Sequence, residues 1–328
     1  MEPLSCLATP SVSFLEAEDA PKLCHVFAPD CNALISSMCS LVKKNTPMFP
    51  GPNPCSMDRA DIDGYLKKKP YFLTRKTDGV RVLLFITRLR DMNIACFVNR
   101  KLTVALAGII QHIPTAMFQG SIIDGELVMN QTSGKLTFLA FDGYAVSGVS
   151  LLQSPHSRRL AALHAAFRHY KTSPEDTCVL AIKKFYRFPS EYQALVAAAS
   201  NEEFRTDGYI FQPDEPPKFG RCASLLKLKP EGHHTVDFVC LDEAGQLGVY
   251  DPKARKNVAV AMLADPPPNC AVSKILECSP VHVSHGEMRW RCVKLRDDKN
   301  QANDRQTYVA TLRNIDEKLT LEEIVQHF

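Results

Sequence analysis

The sequence predicts an α+β protein in which antiparallel sheets with flanking helices are followed by a small five-stranded barrel. Three observations predict it. Runs rich in aromatic and β-branched residues recur along the chain, each bounded by Gly, Pro, Asn or Asp. Helical periodicity is confined to a few stretches, of which residues 154–170 are the clearest in the first half. After Pro230-Glu231-Gly232 the texture changes to short strands alternating with turn clusters such as Asp265-Pro266-Pro267-Pro268-Asn269, a spacing that suits a small barrel.

Each element follows in order. Residues 1–27 show no clear period and read as a loosely attached arm. Leu34, Ile35, Met38, Leu41 and Val42 recur at helical spacing over 29–44, with Asp30 as the expected N-cap. The rigid segment Phe49-Pro50-Gly51-Pro52-Asn53-Pro54 leads to a short helix within 56–66. Strands are expected at 71–75 and 80–86, with Thr77-Asp78-Gly79 turning between them, and at 94–98, 102–105, 121–129 and 136–145. The helix at 154–170 follows, carrying His164 as an ordinary helix residue. Then come a strand at 178–186, a helix at 191–199 capped by Ser190, and strands at 208–212 and 224–229. The later part predicts strands at 235–241, 247–250, 258–261 and 289–294, and a final helix whose capping box is Thr320 and Glu323.

Composition bounds the function. With 328 residues, 45% hydrophobic and 23% charged, the chain has room for two domains and a sizeable core. A net charge of +3 is too mild to define a nucleic-acid partner by itself. Residues 281–315 form a local basic patch, with seven Lys/Arg against four Asp/Glu, whereas residues 1–45 carry three against five. Twelve single cysteines without C-x-x-C or zinc spacing predict reduced thiols in a nucleocytoplasmic compartment. The expectation is a protein neither secreted nor membrane-spanning. Lys67-Lys68-Lys69 before Pro70 reads as a solvated loop.

The residue that invites chemistry is Lys76, placed at the end of a strand beside Thr77, Asp78, Gly79 and Arg81. A lysine attacks only as the neutral amine, and an ordinary pKa of about 10.4 leaves roughly one amine in two or three thousand uncharged at neutral pH. Nearby cations raise that fraction, and Arg75, Arg81, Lys227 and Lys229 are available to supply them. The plain alternative is an exposed hairpin turn.

Other segments decide between the two. The ordered set Lys76-Thr77-Asp78-Gly79-Val80-Arg81, Asp124-Gly125-Glu126, Phe141-Asp142-Gly143, Thr206-Asp207-Gly208-Tyr209-Ile210-Phe211, Leu225-Leu226-Lys227-Leu228-Lys229-Pro230 and Arg296-Asp297-Asp298-Lys299 resembles the six motifs of the covalent nucleotidyltransferases. Within that superfamily it is similar to the mRNA-capping guanylyltransferases rather than the ligases. Thr77 after the lysine, Asp207-Gly208 in place of Glu-Gly and the Phe49-Pro50-Gly51 lead-in carry that distinction. The resemblance implies a flexible arm over 1–27, a GTP-binding nucleotidyltransferase domain over 28–237, an OB-fold over 238–315 and a C-terminal helix over 316–328.

It also implies roles. Lys76 attacks the α-phosphorus of GTP and carries GMP to a 5′-diphosphate RNA. Thr77 joins the GTP-binding set, Arg81 and Glu126 hold the ribose, Phe141 stacks on guanine, and Lys183 or its neighbour Lys184 reads the guanine edge. Asp207 lies near Mg²⁺ or Mn²⁺, Lys227 and Lys229 contact the α-phosphate, and Arg296, Asp298 and Lys299 reach the β- and γ-phosphates when the domains close. Leu228, Lys294 and Ala302 depart from the family's usual residues and touch fine geometry only. The implied partners are a separate RNA triphosphatase, a cap methyltransferase and the RNA polymerase II C-terminal domain, without a membrane. The implied location is the nucleus, or the cytoplasm for a viral protein. The rival readings are an ATP-dependent RNA or DNA ligase with the same lysine chemistry and a catalytically silent RNA-binding scaffold.

Overall fold

The computed structural model describes residues 8–12, 23–26, 28–108, 110–198, 203–266, 272–283, 287–296 and 299–328. The chain divides into two compact units: Met1–Pro54, Lys69–Thr206 and Ile210–Leu225 form the first, and Cys55–Lys68, Asp207–Tyr209 and Leu226–Phe328 the second.

In the first unit, Ala8–Val12 (β1) and Leu23–Val26 (β2) pair antiparallel within the stretch that shows no period in sequence. Helix Ala28–Leu41 (α1) follows, and strand Pro52–Ser56 (β3) leaves this unit at its end. Asp30, expected as the N-cap, sits instead inside the first turn, buried, 2.7 Å from Arg90. There it still faces the positive end of the helix dipole.

Tyr71–Thr77 (β4), Val80–Leu89 (β5), Met92–Val98 (β6), Val104–Leu106 (β7), Ser121–Met129 (β8) and Leu136–Val146 (β9) come next. Val149–Ser150 (β10), helix His156–Ala166 (α2), Val179–Ile182 (β11), Tyr186–Phe188 (β12) and helix Tyr192–Ala198 (α3) follow, then Thr206–Pro213 (β13) and Gly220–Leu228 (β14). The large sheet has the order β1-β2-β7-β6-β5-β8-β9-β10, with β11 added parallel to β9. A second sheet has the order β12-β4-β13-β14-β3. The large sheet is apolar on both faces, because β5 alternates Val82, Leu84 and Ile86 into one cluster and Leu83 and Phe85 into another. Burial on both sides explains why these strands read as continuous hydrophobic runs.

Strand β9 is interrupted twice. Its register to β8 runs Asp124↔Asp142 and then Gly125↔Ala140, so Phe141 has no partner; Ile122↔Ala145 and Ile123↔Gly143 likewise leave Tyr144 over. Such bulges bend a strand and re-aim side chains.

The second unit contains a five-stranded sheet of Val236–Cys240 (β15), Gln246–Asp251 (β16), Lys256–Met262 (β17), Ile275–His282 (β18) and Met288–Leu295 (β19). The order is β17-β16-β15-β18-β19, antiparallel throughout. An isolated bridge joins Leu263, just past one edge strand, to Trp290 on the other, and Ala264 donates to the Trp290 carbonyl at 2.8 Å. The sheet therefore curls until its edges touch there, and the described pairing stops short of a closed barrel. Helix Arg305–Glu317 (α4), capped by the Asp304 side chain, lays Tyr308 against Phe238 and Trp290. Leu321–Val325 (α5) carries the expected Thr320/Glu323 capping box.

Residues 55–68 belong to this unit through polar contacts with α4. The Met57 carbonyl accepts from Asn314, Arg313 lies 2.6 Å from Asp58, and Glu317 accepts from the Arg59 amide at 2.8 Å. Asp61, half-buried among these groups, is pushed up to about 6 from an ordinary 3.8, first by burial and then by the Asp58 and Glu317 charges. A folded pKa above the unfolded one stabilises the protein below pH 3.8, and this contribution is lost as pH rises through about 6. Asp61→Asn is accordingly expected to match the wild type in Tm near pH 4 and to exceed it at pH 7. Parallel curves of thermal unfolding against pH would sink this account.

Candidate active site

Strand pairing brings several of the predicted residues together within the first unit. Arg81 on β5 is the cross-strand partner of Glu126 on β8, and Asp124 lies two residues along the same strand. The Arg81 guanidinium bonds Asp124 through Nε at 2.9 Å and through Nη2 at 2.5 Å, while Nη1 donates to the Pro52 carbonyl at 2.7 Å. Burial opposes its charge most strongly, but Asp124 and Tyr144 together outweigh it and hold the Arg81 pKa above its ordinary value. Asp124 is fully buried and also accepts from the Tyr144 hydroxyl. Burial and the Asp124 charge hold the Tyr144 phenol neutral by pushing its pKa up.

Above that pair sits Phe141, the bulged residue. The Arg81 guanidinium carbon lies 5.5 Å from its ring centre and Lys183 Nζ 5.9 Å, within reach of cation–π attraction. Lys183 arrives there because parallel pairing sets Ile182 against Ala140, and the Lys183 amide continues the ladder to the Ala140 carbonyl at 2.8 Å. Its Nζ donates to Thr77 Oγ1 at 2.7 Å, and Thr77 donates to Glu126, which is 3.7 Å from the same ammonium. Lys184 is exposed, and its carbonyl accepts from Thr74 at 2.7 Å. Of the two lysines left open by the sequence, Lys183 is therefore the one among the other predicted residues. Lys76, half-buried, is the penultimate residue of β4 and precedes Thr77.

Several supporting residues went unassigned in sequence. Asp142, next to the bulge, meets Arg159 of α2 in a bidentate buried pair at 2.6 and 2.7 Å. Arg159 also donates to the carbonyls of Ser154 and Glu215. His156 Nε2 lies 3.0 Å from the Phe141 carbonyl, and its Nδ1 is buried without a partner. Burial holds the His156 pKa below its ordinary value, so the neutral ring donates from Nε2. The usable signal was Asp142 itself, since an acid inside a predicted strand needs a cation.

The second unit holds the remaining predicted residues in two groups. Asp207 lies 2.9 Å from Lys229 Nζ, and Lys229 also reaches the His233 carbonyl at 3.2 Å. The Lys227 carbonyl accepts from the Met57 amide at 3.0 Å. His234, nearly buried, has its pKa lowered by burial and then by Lys229 and Lys227, which keeps the imidazole neutral beside two cations. Arg296 and Lys299 gather instead on Asp237: Arg296 lies 3.0 Å from Asp237 and 3.2 Å from Glu277, and Lys299 bonds Asp237 directly. Asp298 lies outside the described residues.

Among the described residues, no three His, Cys, Asp or Glu side chains form a cage for a metal. Asp207 fits another mode, in which Mg²⁺ or Mn²⁺ is held by one or two carboxylates together with substrate phosphate oxygens. No helix of the described residues is long and apolar enough to cross a membrane.

The chain is a nucleotidyltransferase. More particularly, the chain belongs to the mRNA capping enzyme family: residues 24–231 match the description "mRNA capping enzyme, catalytic domain" and residues 244–325 match "mRNA capping enzyme, C-terminal domain". The mRNA-capping enzyme subunit alpha of Schizosaccharomyces pombe is 25% identical, over 97% of this chain and 89% of that protein. The protein of the same name from Kluyveromyces lactis is 33% identical over 63% of this chain, which spans 50% of that relative's length. A solved structure of mycobacterial DNA ligase D complexed with ATP and MES aligns with 76% of this chain and 96% of that one, at 16% identity and a TM-score of 0.45.

Proposed function

We propose that this protein transfers GMP from GTP, through a covalent lysyl-GMP intermediate, to the 5′-diphosphate end of RNA, forming a GpppN cap. The observation that carries the reading is the Phe141 platform flanked by Arg81 and Lys183, in a chain of the capping family. A purine lying on that ring meets a lysine, which can only donate. Guanine presents O6 and N7 acceptors on its major-groove edge, whereas adenine places an amino donor where O6 would be. Thr77 and Glu126 hold the ammonium in place, and this favours GTP over ATP.

In the first step the neutral Lys76 amine attacks the α-phosphorus. The N–P bond forms, the bond from the α-phosphorus to the bridging oxygen breaks, pyrophosphate leaves with that electron pair, and the amine gives up a proton. Glu126 and Arg81 hold the ribose hydroxyls, and Arg81 retains two N–H groups for this after its three bonds to Asp124 and Pro52. Lys227 and Lys229 stabilise charge on the α-phosphate. Asp207 would hold a Mg²⁺ or Mn²⁺ ion, which would neutralise phosphate charge as a Lewis acid. Arg296, Asp298 and Lys299 serve the β- and γ-phosphates, for which Arg296 and Lys299 exchange Asp237. In the second step an oxygen of the RNA diphosphate attacks the same phosphorus, the P–N bond breaks, and Lys76 leaves and recovers its proton. An RNA triphosphatase supplies the diphosphate end, a cap methyltransferase consumes the product, and the RNA polymerase II C-terminal domain is a further partner. The working location is the nucleus, or the cytoplasm if the source is viral.

The test is incubation with α-labelled GTP or ATP and Mg²⁺ or Mn²⁺. GTP-specific, acid-labile labelling that Lys76→Ala abolishes supports the reading. Labelling by ATP alone makes the protein a ligase, and none with either nucleotide makes it a scaffold.

A further inference from the structure

The sheet of the second unit has two unlike faces. Along β15, Val236, Phe238 and Cys240 enter the main apolar cluster, while Val239 joins a small separate one with its cross-strand partner Ile275 and with Ala302. Over this second face opens a cavity of about 490 Å³. Its walls carry five neutral hydrogen-bonding side chains: Tyr250, Asn257, Ser273, Asn300 and Gln301. Tyr250 and Asn257 face each other across β16 and β17, and Ser273 sits at φ 67°, where the chain turns back to bond its amide to Cys240 at 2.8 Å.

The lining excludes two classes of ligand. No charged side chain lines the cavity among the described residues, so a phosphate or carboxylate entering it would lose its water without gaining a counter-charge. A purely apolar ligand would leave the five polar groups without partners. What fits is a planar, neutral, donor- and acceptor-rich ring, stacked on Tyr250 and bonded at its edges. Lys256, Lys274 and Lys299 are each the sequence neighbour of a lining residue, and the first two are exposed. A neutral pocket for a ring, on a surface that also carries exposed lysines, matches single-stranded RNA, whose unstacked bases are read by aromatic rings and amides while lysines meet the phosphates.

We propose that this cavity seats one unpaired nucleobase of the RNA chain that receives the cap, a proposal that rests on the guanylyltransferase reading. The experiment measures binding of a short single-stranded RNA with a 5′-diphosphate to the full chain, for the wild type, Tyr250→Ala, Tyr250→Phe and Asn257→Ala. Tyr250→Ala is expected to raise Kd about tenfold or more, and Asn257→Ala to raise it less. Tyr250→Phe, which keeps the ring, is expected to bind more like the wild type. The slope of log Kd against log salt stays unchanged in these variants but falls by about one for Lys256→Ala or Lys274→Ala. Labelling by GTP, which needs no RNA, is expected to remain at the wild-type level in all of them. Unchanged Kd in both Tyr250→Ala and Asn257→Ala overturns the pocket, as does equal binding of fully paired RNA. Absence of labelling in the wild type overturns the guanylyltransferase reading instead. Asn257 is exposed on its strand, so its variant carries the test if Tyr250→Ala does not fold.

Discussion

Arg159→Ala is expected to lower stability by about 3–5 kcal/mol, the usual cost of leaving one member of a buried ion pair alone. Arg159 and Asp142 are each almost wholly buried and share two bonds. The substitution strands the Asp142 charge and also removes the donor that serves the Ser154 and Glu215 carbonyls. Urea unfolding at neutral pH measures the loss. A double-mutant cycle with Asp142→Leu separates the pair from the carbonyl contacts, because a substitution that leaves no stranded charge costs less. If Arg159→Ala falls within about 1 kcal/mol of the wild type, the range of an exposed pair, the proposed importance of the clamp is wrong. Covalent labelling reports a second consequence, since Asp142 follows the bulged Phe141 and the clamp holds α2 against that bend.

Gly208→Ala is expected to slow the proposed lysyl-GMP formation by about 100-fold, the penalty of misplacing reactive groups by roughly 1 Å. Gly208 has φ 138°, in the region that favours glycine, and an added Cβ would lie 2.1 Å from the Leu228 carbonyl oxygen. That atom belongs to the backbone, so relief requires the strand segments to part. The residues on either side of the clash are Asp207 and Lys229, now 2.9 Å apart. The labelling rate at saturating GTP checks this, with circular dichroism to show that the sheet is retained. A wild-type rate would mean that the close approach does not position Asp207.

Most strands were legible because β4, β5, β8 and β9 combine β-branched and aromatic residues with flanking turns. The elements that escaped have physical reasons. Strand β18 contains Pro280, which argues against a strand interior. Helix α4 escaped although Tyr308, Leu312 and Ile315, at i, i+4 and i+7, pack on the apolar cluster; that stripe is narrow, and much of the rest of the helix is polar, with Asn314, Arg313 and Glu317 engaging residues 57–59. Strands β1, at the sheet edge, and β2, between β1 and β7, are short pieces stabilised by pairing rather than by their own pattern.

In the candidate site, the residues that touch ligand in the proposed reaction could be named from motif order. Their supports could not. Asp124-Gly125 and Asp142-Gly143 look like turn dipeptides, and only strand pairing shows them as buried acids bonded to Arg81 and Arg159. The bulge at Phe141 is equally invisible, because a single extra residue leaves the hydrophobic run unbroken. Lys183 could be separated from Lys184 only through the parallel alignment of Ile182 with Ala140, a contact 42 residues apart in sequence.

The chain passes between the two units five times, at Pro54/Cys55, Lys68/Lys69, Thr206/Asp207, Tyr209/Ile210 and Leu225/Leu226. Neither unit is thus a continuous piece of gene. A truncation at a linear boundary such as residue 237 would deprive α4 of the Met57 carbonyl and Asp58 that its Asn314 and Arg313 engage. Recombination that swaps one half of this chain with a relative's therefore has to exchange at several points together, which ties the two halves to a common evolutionary history.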